Sequence, residues 1–223
     1  MIHKLRKKLS YKYLSGDGLE IGALHEKLPV FPQAHVRYVD RMSVADLRAH
    51  YPELGDKALV EVDIIDDGET LATIPDASQD FLIANHMIEH CESPLGAMRH
   101  HFRVLKPGGI AYYAAPDKRF TFDKERALTP FWHLELDDAL GAEGSRELHY
   151  REVAAVTEHL RGEEAAARVR KLMAMRYSIH FHVWDARSFR EFIAQANDYL
   201  GGVFTVLEYK RNGMEMIAVL RKV

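Results

Sequence analysis

The sequence predicts a doubly wound α/β fold, and three observations carry that prediction. An apolar run, Phe81 to Ala84, ends in a polar cluster of Asn85, His86, Glu89 and His90. A helix-like segment follows, with Leu95, Met98, Phe102 and Leu105 on one face. Lys106-Pro107-Gly108-Gly109 breaks it before a second apolar run, Ile110 to Ala115, that stops at Pro116-Asp117. Strand, helix, glycine stop, strand is the repeating unit of such sheets. Near the C-terminus, Asn212-Gly213 separates the apolar runs Val203 to Tyr209 and Met214 to Leu220, a strong hairpin signal. A hairpin makes the last two strands antiparallel, whereas nicotinamide-binding sheets of this kind normally continue parallel.

The elements follow in order. The first strand is expected over Gly18 to Gly22, ending in a loop from Ala23 to Pro32. The second is Val36 to Asp40, followed by a helix from Ser43, a suitable N-cap, to about Tyr51, where Pro52 stops it. The third strand is expected over Leu59 to Asp63, with a turn at Asp66-Asp67-Gly68. After the fifth strand the charge density rises, and Glu143 to Arg176 reads as helical. We take 123–178 as a helical insertion within one domain spanning 1–223, placed as a lid, a decorative layer or a dimer contact, because it is too long for an ordinary connection. Asp185 caps a last helix whose buried stripe is Phe189, Phe192, Ile193, Ala196 and Leu200, with Gly201-Gly202 as its stop.

Composition excludes several classes. A formal net charge of -3 gives no global case for nucleic-acid binding. The local exception is the N-terminus, where Lys4, Arg6, Lys7, Lys8 and Lys12 interleave with Ile2, Leu5, Leu9 and Tyr13. Its plain reading is a solvated helix covering a sheet edge; the sharper one is a membrane-surface contact through residues 1–13. No run is long and apolar enough to span a membrane, and no apolar stretch follows the basic start as in a signal peptide. Cys91 is the single cysteine, which fits a reducing cytoplasm.

The segment from Gly18 to Asp117 resembles class I S-adenosylmethionine (SAM)-dependent methyltransferases of the small-molecule type. Ile88-Glu89-His90 stands for their "LEH" element and Arg103 to Gly109 for their "RVLKPGG" element. The resemblance implies a Rossmann-like sheet of seven strands with a terminal antiparallel hairpin, and SAM as cofactor. It places Glu20, Gly22 and Ala23 at the methionine end, although the family's second and third loop glycines are replaced here. It also implies that Asp40, with Arg41 beside it, accepts the ribose hydroxyls. Asp40 follows Gly22 by 18 residues, at a predicted strand end. Ile65 and Asp66 are the preferred adenine pair, with Asp67 read as a turn residue, and Asn85 and His86 fall beside the transferred methyl.

A hydroxyl acceptor benefits from a general base, for which His86, His182 and Asp117 are candidates. Substrate contacts are expected from His90, Lys118, Arg119 and His180. In Ser178 to Trp184, His180 and His182 alternate with Phe181, so both imidazoles share one face if the segment is extended. Satisfied structural histidines are the plain alternative. The acceptor expected is a small molecule, a sugar or glycan precursor methylated at oxygen. Two other classes stay open: a non-catalytic module of the same fold, suggested by the altered glycine loop, and a metal hydrolase using His86-Met87-Ile88-Glu89-His90, which matches H-x-x-E-H. No metal ligand set is expected.

Overall fold

The computed structural model describes residues 2–223, and the side chain of Ile2, one of the expected N-terminal stripe, lies outside the described residues. Seven strands form one sheet in the order β3-β2-β1-β4-β5-β7-β6, where β1 is Asp17–Ile21, β2 His35–Asp40, β3 Ile64–Ile65, β4 Gln79–Asn85, β5 Leu105–Pro116, β6 Phe204–Asn212 and β7 Glu215–Lys222. β1 pairs in parallel with β2 on one side and with β4 on the other, so strand order reverses between β1 and β4. The crevice outside the carboxyl ends of those strands is where such sheets bind ligands. β7 runs antiparallel between β5 and β6, as the hairpin signal predicts. The tight loop is Gly213-Met214, with Asn212 still paired to Glu215 across it.

Local sequence explains the centre of the sheet. Phe81, Leu82, Ile83 and Ala84 are fully buried, as expected of a parallel strand covered on both faces. Gly18 lies beside Phe81, and a Cβ there would fall 2.4 Å from the ring, so only glycine fits. Helices α3 (Pro94–Val104) and α7 (Ala186–Tyr199) pack Met98, Phe102, Phe189 and Phe192 against one face. Ser93 caps α3 through the Gly96 N–H, and Asp185 with Ser188 forms a capping box on α7. Helix α1 (Ile2–Tyr13) brings Leu9 to the other face, with Leu14, Leu28 and Ala34. Its Arg6 is not part of a solvated basic face: it is buried and its Nε donates to Glu215 Oε1 at 2.9 Å.

Three expectations about elements need correction. The third strand is not Leu59 to Asp63 but the two residues Ile64–Ile65. The Val60 N–H donates to Leu24 O at 2.6 Å and the Asp63 carboxylate accepts from Tyr38 N–H at 2.8 Å, so this stretch bridges a loop to β2 instead of forming a ladder. Leu105 is buried but leaves α3 with extended backbone and begins β5. The stretch read as helical from Glu143 is divided: α5 (Glu143–Glu152) runs into a π turn at Val153–Thr157, and α6 (Gly162–Met175) restarts beyond His159, which has φ 56°. A further helix, α4 (Phe131–Leu140), precedes them, and α2 (Val44–His50) lies where expected between Ser43 and Tyr51. The insertion has its own apolar cluster, with Tyr150, Leu172 and Phe181 at its centre. Among the described residues no helix is long and apolar enough to cross a membrane.

Candidate active site

A cavity of about 850 Å³ opens at the carboxyl ends of β1, β2 and β4. Its floor is Ile21, Gly22, Leu24 and Asp40, one wall is Asp67 to Thr70, and Arg146, Tyr177, Ser178 and Phe181 close it from the insertion side. The loop after β1 turns at Gly22, with φ 65° and no atom within 4 Å of where a Cβ would stand. Leu24 holds φ 47° two residues later. The backbone therefore makes a second left-handed step where the sequence offers no glycine, a strained conformation for leucine.

Glu20 does not line this cavity. It is buried below the loop, and its two carboxylate oxygens accept from the Leu28 N–H at 2.9 and 3.1 Å. Burial pushes its carboxyl up to about 7, against those hydrogen bonds. Glu20 thus shapes the loop from behind, and Asn85 donates to it at 3.5 Å from the end of β4. Ala23 is also absent from the lining. Asp40 does reach the cavity; it accepts from the Arg41 N–H at 2.8 Å, and burial raises its carboxyl.

The expected adenine pair is corrected. Ile65 is 60% exposed, and Asp66 turns to Thr73, whose N–H and hydroxyl it accepts at 2.8 and 2.6 Å. The wall is formed one step later by Asp67, Gly68 and Glu69, so the residue read as a turn is the one that faces the cavity. Glu69, missed in the sequence, accepts from the Glu92 and Ser93 N–H groups at 2.8 and 3.0 Å, and burial pushes it up to about 7. Arg41 lines the cavity, donating to Tyr51 Oη at 2.5 Å and to Arg176 O at 3.3 Å, both of which line it too.

Past β4 the polar cluster divides into distinct roles. His86 lines the cavity at φ 50°, with Nε2 2.8 Å from Glu215 Oε2 and Nδ1 3.6 Å from Glu89 Oε1. Burial alone would lower its pKa, but the Glu215 hydrogen bond and the Glu89 charge outweigh it and raise it. The ring is held between Glu215 and Glu89, which favours its protonated form. Ile88–His90 is a single 3₁₀ turn, so His86 and His90 do not share a helix face and the H-x-x-E-H reading fails. His90 lines the cavity as a neutral ring, driven down to about 3 by burial, its Nδ1 2.9 Å from Ile179 O and 3.0 Å from Ser178 Oγ. His180 stands behind it, bound through Nδ1 to Asp123 at 2.6 Å.

Four predicted residues are elsewhere. Asp117 is buried and clasped by Arg119 at 2.9 and 2.5 Å, which holds its carboxyl below the usual range despite burial. Lys118 donates to Lys124 O at 2.7 Å. Neither these two nor Arg119 lines the cavity, because Asp117 pairs with Trp184 and with the Met214 carbonyl, which cover the end of β5. His182 is wholly buried away from His180, among His133, Asp137 and His149, so the two imidazoles do not form one group.

Comparison with known proteins agrees with this geometry. A family model described as a methyltransferase domain matches residues 15–113. A Mycolicibacterium smegmatis protein described as a probable S-adenosylmethionine-dependent methyltransferase is 34% identical over 102 residues, which are 45% of this chain and 36% of that one. The chain thus spans about a third of the length of the curated relative it matches. Two solved structures share the fold. One is a SAM-dependent methyltransferase from Aquifex aeolicus, with TM-score 0.52, 14% identity, and 100% of this chain and 89% of that one covered. The other is the Burkholderia thailandensis 1,6-didemethyltoxoflavin-N1-methyltransferase bound to its substrate and S-adenosylhomocysteine, with TM-score 0.54, 11% identity, and 100% and 78% covered. With its β3-β2-β1-β4-β5-β7-β6 sheet and the match over residues 15–113, that part of the chain is similar to a methyltransferase domain.

Proposed function

We propose that this protein transfers a methyl group from SAM to an oxygen of a small polar acceptor, a sugar or glycan precursor, held between the sheet and the helical insertion. The observation that carries this reading is the single cavity joining Gly22 and Asp40 on the sheet side to His90 and Arg146 on the insertion side.

The residues present fit the cofactor. Gly22 leaves open the space a Cβ would fill, which lets the backbone approach the methionine portion closely. The Asp40 carboxylate would accept the ribose hydroxyls, and Asp67 with Gly68 would border the adenine. SAM supplies an electrophilic methyl on a sulfonium. The chain's own contribution is alignment and exclusion of water, the source of most of the rate in such a displacement.

On the acceptor side, His90 carries no charge near neutral pH. Its Nδ1 is engaged by Ile179 O and Ser178 Oγ, which leaves Nε2 to accept a hydrogen bond from a hydroxyl. A ring of such low basicity orients the hydroxyl more than it removes the proton. Arg146 lies in the same wall with its charge matched by Glu92, at 2.8 Å from Nε to Oε1, and favours a polar acceptor.

The test is thermal unfolding with SAM and with S-adenosylhomocysteine, for wild type and Asp40→Ala. Ligand at a hundred times its dissociation constant adds about 2.7 kcal/mol to stability. A rise in wild type that Asp40→Ala abolishes supports the site. No rise with either ligand favours the non-catalytic module instead. Labelled SAM with sugar-alcohol and amine acceptors then tests the atom: transfer confined to nitrogen overturns the oxygen assignment.

A further inference from the structure

We propose that the helical insertion carries a closed, four-ligand divalent-cation site, with Zn²⁺ as the fitting ion, built from His133, Asp137, His149 and His182. Three separate segments converge to make it. His133 and Asp137 are one turn apart on α4, His149 sits in the last turn of α5, and His182 lies in the chain between α6 and α7. Each offers one ligand atom, and these atoms all lie within 4.8 Å of one another.

The spacing suits a tetrahedral ion. His133 Nε2 is 3.0 Å from His149 Nε2 and 3.2 Å from Asp137 Oδ2, and His182 Nε2 is 3.8 Å from the same oxygen. Ligands about 2.0–2.2 Å from a tetrahedral Zn²⁺ stand roughly 3.4 Å apart, inside this range. Three imidazole nitrogens and one carboxylate oxygen are a donor set that Zn²⁺ accepts readily.

Polar accounting points the same way. Asp137 and His182 are buried, with side chains 4% and 0% exposed, yet Asp137 Oδ2 has no hydrogen-bond partner, and His182 Nε2 has only the Glu92 carbonyl at 3.3 Å. His133 comes within 3.2 Å of Oδ2 without making a directed hydrogen bond to it. The Nε2 atoms of His133 and His149 face each other at 3.0 Å, so one ring donates to the other unless a cation lies between them. Asp137 Oδ2 therefore faces the His133 and His182 rings with no hydrogen bond of its own. A buried carboxylate left unpaired is costly, and a cation removes that cost. The other carboxylate oxygen, Oδ1, accepts from Ser145 Oγ at 2.7 Å, which orients the ligand as outer-shell partners do at metal sites.

With four protein ligands the site has no open position, so its role is structural. It ties α4 and α5 to the segment carrying Ser178 and Phe181, and so fixes the insertion wall of the cavity. Its test reads metal content and is independent of whether the cavity binds SAM.

The full chain, stripped with a chelator and returned to metal-free buffer, is titrated with Zn²⁺ and with Co²⁺, and bound metal is counted by mass spectrometry. Wild type is expected to take about one Zn²⁺ per chain, and Co²⁺ to give the intense visible absorption of tetrahedral coordination. His133→Ala/His149→Ala is expected to fall below roughly a tenth of that stoichiometry and lose the band. His90→Ala/His180→Ala, which alters the neighbouring Glu89-His90-His180 group, is expected to keep both. If the double alanine variant does not fold, the near-isosteric His149→Gln serves, with at least about tenfold weaker Zn²⁺ binding expected. Folded wild type that binds no Zn²⁺, full stoichiometry in the His133/His149 variants, or loss in the His90/His180 variant would each overturn the assignment.

Discussion

His86 Nε2 lies 2.8 Å from Glu215 Oε2, so the first residue of β7 holds the residue that follows the central strand β4. Arg6 from α1 and Asn212 from β6 bind the same carboxylate; these two and Glu215 are buried, while His86 reaches the cavity. Burial would raise the Glu215 carboxyl, but His86 and Arg6 outweigh it and hold it at about 2.

Glu215→Gln is therefore expected to destabilise the protein by about 3–5 kcal/mol, the usual result of leaving a buried charge, here Arg6, without its partner. The effect depends on pH in a defined way. Glu215 has a folded pKa below its ordinary 4.5, so its contribution is present above pH 4.5 and lost as pH falls towards 2. His86 has a folded pKa above its ordinary 6.5, so its contribution is present below pH 6.5 and lost as pH rises through the folded value. The advantage of wild type over Glu215→Gln is thus greatest between those two ordinary values. Urea unfolding of both proteins at about pH 3, 5.5 and 8 checks this, and a constant difference across the three would refute it.

Glu20→Gln has the opposite sign. The Glu20 carboxyl is raised from 4.5 to about 7, so the folded state holds its proton more tightly and wild-type stability falls as pH rises through that window. Glutamine keeps an acceptor for the Leu28 N–H without the buried charge. Relative to wild type, the variant should gain up to roughly 3 kcal/mol between about pH 5 and pH 8, at 1.36 kcal/mol per pKa unit. Chemical denaturation at the two pH values decides it, and an unchanged difference would mean that Glu20 stays ionised throughout.

What the sequence reveals and what it hides differ for physical reasons. The buried run Phe81 to Ala84, the Asp185–Ser188 cap and the hairpin beyond Asn212 are local signals, and the fold follows from them. Asp40 is legible because it ends a strand of definite length. Ile65 and Asp66 mislead because β3 is two residues long, too short to set a period, and the choice among Asp66, Asp67 and Glu69 falls to turn geometry. Asp117 stands at a strand end that the β6–β7 turn and Trp184 cover, a tertiary fact with no local trace. His180 and His182 alternate in sequence, but their segment joins no ladder of the sheet. Partners far along the chain, Asp123 for one and His133, Asp137 and His149 for the other, draw them apart.

Leu24→Gly tests the altered loop. Leu24 at φ 47° carries the cost of a left-handed non-glycine residue, on the order of 1–3 kcal/mol, which glycine relieves. Glycine also removes a half-buried side chain, so its net effect is expected to be small. Leu24→Val keeps apolar bulk but places a β-branched residue where that conformation is least tolerated. The glycine variant should exceed the valine variant by at least about 1 kcal/mol in urea unfolding and should bind SAM within about threefold of wild type. Equal stability of the two variants would show that the loop relaxes and stores no strain.

Tyr177 closes the remaining side of the cavity, where the insertion meets the segment after α2. Its hydroxyl donates to Glu53 Oε1 at 2.5 Å, its ring stacks on His50 with centroids 5.7 Å apart, and Arg41 reaches across to the Arg176 carbonyl at 3.3 Å. These contacts join the two walls beside Asp40, and the Tyr177–Glu53 link is expected to control cofactor entry and exit. Tyr177→Phe keeps the stack and removes a hydrogen bond to a carboxylate, worth about 1 kcal/mol at this exposure. Release of S-adenosylhomocysteine, followed by stopped-flow fluorescence, should then quicken about fivefold, with global stability nearly unchanged. Release at the wild-type rate would place the gate elsewhere. A matching loss of global stability would make the contact a structural clamp, because a gate must open without unfolding the domain that carries it.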